Sequence, residues 1–108
     1  MVQTEPIASA SQGALAGIRV LDFTWVRAGP WGTRWLGALG AEVIKVEWPQ
    51  SPNTRGIGGG TAPDGFPVNL NTGGHFSDMN ANKLSVTINT RTERGIDLTR
   101  RLVAISDI

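Results

Sequence analysis

An α/β fold built on an open parallel sheet is what this sequence predicts. Ile18-Arg19-Val20-Leu21-Asp22-Phe23 and Glu42-Val43-Ile44-Lys45-Val46-Glu47 are short runs rich in β-branched residues, suited to buried strands. A helical pattern over 30–39 lies between them. Strand, helix and strand at this spacing make a βαβ unit, whose crossover is almost always right-handed and leaves its strands parallel.

Residues 1–14 are small and polar with a single proline, and read as a flexible tail ahead of the fold. The first strand, 18–23, follows Gly17, and residues 24–29 connect it to the helix. Pro30 suits a first helical turn, where its missing N–H has no internal partner. Trp31, Trp35 and Leu39 are four apart and share one face, and Gly40 is placed to cap the C-terminus. The second strand, 42–47, closes at Pro49.

Residues 49–82 hold half of the 14 glycines and four of the 6 prolines, with almost no apolar periodicity. So long a connection in a compact domain implies a loop lying against something, for function or for a partner. A third strand follows at 84–88, then a helix from about Thr92 with Leu98, Leu102 and Ile105 on one face. Thr90 and Glu93 stand at capping-box spacing, with Thr92 as a competing cap. The last three residues fall where an alternating fold would begin another strand. A parallel sheet needs helices on both faces, so 15–108 is expected to be an incomplete, N-terminal section of a larger domain.

Composition excludes several classes. With no cysteine, disulfide scaffolds, thiolate zinc sites and cysteine nucleophiles are ruled out, which fits a cytoplasmic protein. Ten basic against nine acidic residues leave a formal charge of +1, too small to point to nucleic acid. No run of 18 apolar residues suggests a membrane span. Charged residues are 18% of the chain against a usual value of about 25%, consistent with a surface meant for a partner.

Motifs that carry chemistry are few. Gly56-Ile57-Gly58-Gly59-Gly60 lacks the lysine of a P-loop and does not join a strand to a helix as a dinucleotide fingerprint does. His75, the single histidine, has no ligand-spaced companions and fits a loop hydrogen bond better than a metal. Asp22, near the end of the first strand, could act as nucleophile or base, but accepting N–H bonds from the next turn suits it better. Arg27 and Arg91 each follow a strand. In a parallel sheet both loops open at one edge, where a guanidinium and helix N-termini can hold a phosphorylated ligand. The rival is that these arginines merely pair with neighbouring carboxylates.

The segment Leu15-Ala-Gly-Ile-Arg-Val-Leu-Asp-Phe-Thr-Trp-Val-Arg-Ala-Gly-Pro30, followed by Leu39-Gly-Ala-Glu-Val-Ile-Lys-Val-Glu-Trp-Pro49, resembles the start of the class III coenzyme A transferases. Asn80-Ala-Asn-Lys-Leu-Ser85 is similar to that family's Asn-x-Asn-Lys-x-Ser element. The family includes formyl-CoA, carnitine-CoA and bile-acid-CoA transferases and the related 2-methylacyl-CoA racemases. The resemblance implies a partial Rossmann-like sheet, a chain about four times longer and an interlocked homodimer. It also implies CoA or acyl-CoA as substrate and a carboxylic acid as acceptor, with no permanently bound cofactor.

Residue by residue, the resemblance places CoA contacts at Val26, Arg27 and Ala28, where Arg27 replaces the glutamine of formyl-CoA transferases. Trp48 holds a position where a basic residue would suit CoA phosphates, and could stack on adenine or simply pack. Ile88, Asn89, Thr90 and Arg91 match a further CoA-contacting element. The family's catalytic aspartate, which forms a mixed anhydride and then a CoA thioester, would lie beyond Ile108, so no catalytic residue is expected in this chain. Two other readings stay open: a racemase-like fragment, and a non-catalytic α/β fragment or interaction module that needs a complementing chain.

Overall fold

The computed structural model describes residues 12–48, 55, 71 and 73–108. Three strands, β1 (Arg19–Asp22), β2 (Glu42–Glu47) and β3 (Lys83–Thr87), form one sheet in the order β1-β2-β3, with both pairings parallel. Helix α1 (Ala28–Ala38) joins the first two strands, α2 (Gly74–Met79) precedes β3, and α3 (Glu93–Ala104) follows it. The open parallel sheet expected from the sequence is therefore present, with strands alternating with helices.

Register decides what each face carries. Val20, Val43 and Lys83 are in line across the sheet, as are Asp22, Lys45 and Ser85. Val20, Asp22, Val43, Lys45 and Glu47 are all buried, and all project from the same side. Val20, Ala41 and Val43 make the core cluster, packed by Leu15, Ile18 and Leu36, the last of which comes from α1.

The free edge of β1 is partly occupied. Ile108 N–H donates to Arg19 O at 3.2 Å, and Leu21 N–H donates to Ile108 O at 2.8 Å. Those two bonds flank Val20 as a parallel bridge does. Ile108 thus pairs through its backbone with β1 on the side away from β2.

Several boundaries differ from expectation. Helix α1 starts two residues before the expected Pro30, with Arg27 as an N-cap that has no side-chain cap bond. Gly40 follows the helix with φ of 103°, the left-handed terminus expected of it. Trp31 and Trp35 do share a face, meeting edge-on at 5.6 Å between centroids, but that face is exposed and Pro30 is the helix's buried residue. Arg34 lies over both indoles.

Within the connection expected over 49–82, Gly74–Met79 is a helix rather than loop. Residues 49–54, 56–70 and 72, including the 56–60 glycine segment, lie outside the described residues, as do 1–11 of the expected tail. Thr92, not Thr90, caps α3, its hydroxyl accepting from Gly95 N–H at 3.0 Å. Among the described residues no helix is long and apolar enough to cross a membrane.

Candidate functional site

The loop that leaves β1 is shaped by buried polar groups. Asp22 is only 1% exposed. Thr24 N–H donates to its Oδ1 at 2.7 Å, and the Thr24 hydroxyl donates to the same oxygen. The Thr33 hydroxyl on α1 donates to Oδ2 at 2.6 Å, and Lys83 Nζ reaches Oδ2 at 2.9 Å. Burial pushes the Asp22 carboxyl up, but hydrogen bonds from Thr24, Thr33 and Lys83 outweigh it and bring the pKa down to about 2. Asp22 organises the turn after β1, the structural role favoured from sequence. A carboxylate already saturated by donors and a cation is poorly suited to act as nucleophile or base.

Lys83 uses its other two protons on Pro30 O and Asn80 Oδ1, each at 3.0 Å. The Asn-x-Asn-Lys element thereby ties the start of β3 to both the end of β1 and the first turn of α1. Asn82, between those two residues, has φ of 61°. Asparagine is one of the few residues that tolerates this left-handed region.

Lys45, 3% exposed in the middle of β2, donates from Nζ to Thr24 O at 2.8 Å. Burial pushes its ammonium below the ordinary lysine range. Two residues further along the same loop, Val26 has φ of 64°. That conformation is an outlier for a β-branched residue and costs on the order of 1–3 kcal/mol. His75 Nε2 lies 3.1 Å from Val26 O, so the loop hydrogen bond expected of this histidine is present.

The turn delivers Arg27 and Ala28 to a cavity of about 560 Å³, which Trp31, His75 and Met79 also line. The α1 N-terminus at this wall has neither an acidic first turn nor a side-chain cap. Arg27 and the positive end of the helix therefore give this wall an anion-accepting character.

The loops after β2 and β3 carry the remaining expected residues. The Arg91 guanidinium lies 4.3 Å from the centroid of the Trp48 ring, a cation–π stack between the ends of adjacent strands. Arg91 N–H donates to Asn89 Oδ1, and Asn89 O accepts from the Thr92 hydroxyl, both at 3.0 Å. Thr90 is exposed, whereas Ile88 is 6% exposed and donates its N–H to Glu47 O at 3.0 Å. Ile88 thus belongs to the core.

Because all three strands are parallel, the three loops leave the sheet at one edge, adjacent strands being about 4.8 Å apart. Arg27 and Ala28 share the cavity, while Trp48 and Arg91 stack on each other. Sequence reasoning missed Met79 as a lining residue, and it missed the buried roles of Lys45 and Lys83. The signal for the lysines is the register that sets Asp22 beside Lys45, and it appears only once the strands are paired.

Comparison with known proteins is consistent along the chain. The model of CoA-transferase family III matches residues 15–108. The succinyl-CoA:glutarate CoA-transferase of Mus musculus is 42% identical over 98 residues, covering 91% of this chain and 21% of that protein. A formyl-CoA:oxalate CoA-transferase of Streptomyces avermitilis is 43% identical over 95 residues, covering 88% of this chain and 22% of that one. The crystal structure of Rv3272 from M. tuberculosis superposes with a TM-score of 0.74 at 38% identity, over 89% of this chain and 25% of the other. A CAIB/BAIF family protein from Brucella suis gives the same TM-score, identity and coverage. The chain spans a fifth to a quarter of the length of these relatives.

Proposed function

This chain belongs to CoA-transferase family III, and we propose that it supplies the first part of a CoA site in a protein that moves CoA between an acyl-CoA and a carboxylic acid. The observation that carries this reading is the gathering of Arg27, Trp48 and Arg91 on loops at one edge of the parallel sheet. The activities for which the mouse and Streptomyces relatives are named, both CoA transfers between two acids, favour transfer over racemisation.

In this reading Arg27 and Arg91 neutralise CoA phosphates, for which a guanidinium offers paired, charge-assisted donors. Trp48 presents a ring face for adenine or holds Arg91 in place. Val26, Ala28 and the 88–90 backbone shape the walls. The acyl-accepting nucleophile comes from outside these residues, since Asp22 is committed to Lys83 and the two threonines.

The test uses a full-length transferase carrying residues 15–108 in place of its own matching section. Arg91→Ala and Arg27→Ala should each weaken CoA binding by about tenfold, or roughly 1.4 kcal/mol, in calorimetric titration. Dephospho-CoA separates a contact with the 3′-phosphate from one with the pyrophosphate. Unchanged CoA affinity in both folded variants would remove the arginines from the site.

A further inference from the structure

Among the described residues Lys45 is the surplus charge of the buried cluster. Asp22 is neutralised by Lys83 at 2.9 Å, and Glu47 is paired with Arg55 at 3.0 Å. Among the described residues no carboxylate oxygen lies within 4.0 Å of Lys45 Nζ. A cation withdrawn from water without an ion-pair partner is costly, and the displaced titration of Lys45 reflects that cost. A methionine or leucine would fill the same space in the sheet without it.

Among the described residues the lysine makes one hydrogen bond, to Thr24 O at 2.8 Å. Thr24 is held from its other side by Asp22, and two residues later the chain passes through the left-handed Val26 conformation, with Val26 O held by His75. A strained backbone persists only where its surroundings over-determine it. Arg27 is the next residue, so its place at the cavity follows from how firmly 24–26 is held.

We propose that Lys45 is a positioning residue of the CoA site, whose buried ammonium holds the loop after β1 in the strained conformation that presents Arg27. This rests on the reading of that loop as a CoA contact. Stability of the sheet is not what the lysine supplies, and its effect on ligand runs through Thr24 and Val26.

The test is Lys45→Met in the same full-length transferase. Its unfolding midpoint should be unchanged or raised, while amide exchange over 24–27 accelerates by about tenfold or more, and exchange in β2 stays slow. CoA affinity should fall by about tenfold through lost preorganisation, with KM raised and kcat retained. Glycine adopts the φ of 64° at position 26 without strain, so in a Val26→Gly background Lys45→Met should weaken CoA binding less than it does in the parent.

A lowered midpoint with exchange raised uniformly would make Lys45 merely structural and overturn the proposal. Additive losses in the double variant would overturn it too, since they would mean that Lys45 acts on CoA directly by charge. Loop exchange is read without ligand, which keeps the two readings separable. Failure of the unsubstituted protein to bind CoA would refute the CoA reading, whereas unchanged loop exchange in Lys45→Met would refute this one.

Discussion

Lys83 at the start of β3 meets Asp22 at the end of β1 in an ion pair of 2.9 Å, with side chains 2% and 0% exposed. The intervening strand β2 passes beneath this contact, so one buried pair ties together all three strands. Removing one member of such a pair strands the other charge, and costs about 3–5 kcal/mol. Asp22→Ala is expected to lower stability by that order in urea unfolding of the full-length protein. Replacing both partners, as Asp22→Leu with Lys83→Met, should cost less than Asp22→Ala alone.

Acid should expose the same carboxylate. Its folded pKa of about 2 lies below the unfolded value of 3.8, so the stabilisation is fully present above the unfolded pKa. It begins to fade below about pH 4 and is lost as pH falls through about 2, an effect on the order of 2 kcal/mol. Urea midpoints measured from pH 5 downwards should fall over this window. Asp22→Asn should flatten that part of the profile, and an undiminished slope would assign the acid sensitivity to other carboxylates.

Residues 1–108 expressed alone should show no CoA-transferase turnover, because the family resemblance puts the nucleophile beyond Ile108 and Asp22 is already committed. Several acyl-CoA donors with free acid acceptors, followed by separation of the CoA products, would check this. The isolated chain is also expected to associate or to exchange rapidly. Leu84 is 58% exposed on one sheet face and Trp35 50% exposed on α1, so its apolar surface is extensive. Slow exchange across all three strands in a dilute monomeric sample would contradict this expectation.

Gly95 supports the loop that carries Arg91. A methyl group on its Cα would overlap the carbonyl of Asn89, a backbone atom that cannot swing aside. Gly95→Ala should therefore displace the 89–92 turn and loosen the Arg91–Trp48 stack, with a stability loss of about 1–3 kcal/mol. Trp fluorescence and CoA titration should change together, and a variant indistinguishable from the parent in both would show that the turn adapts.

Strands β1 and β2 were legible because their apolar runs are bounded by Gly17 and Pro49. Helix α1 began earlier than Pro30 indicated because Arg27, at its N-cap, carries none of the side chains that announce a helix start. Helix α2 has only six residues and opens on glycine, too short for a period to emerge. Four-residue spacing put Trp31 and Trp35 on one face but could not say which way that face turns. Arg27, Trp48 and Arg91 were singled out from motif and resemblance, and their places on loops after the strands follow from the strand boundaries. Lys45 and Lys83, by contrast, look like ordinary surface lysines until strand register places them against Thr24 O and Asp22.

The most direct test of a shared CoA edge is hydrogen exchange of the full-length transferase carrying this section, with and without saturating CoA. Amides of 24–28 and 88–91 should gain protection together, while the opposite end of the sheet, around Ile18 and Ala41, stays as it was. Absence of protection at both loops, under conditions where CoA binding is demonstrated independently, would contradict the placement of CoA on this edge.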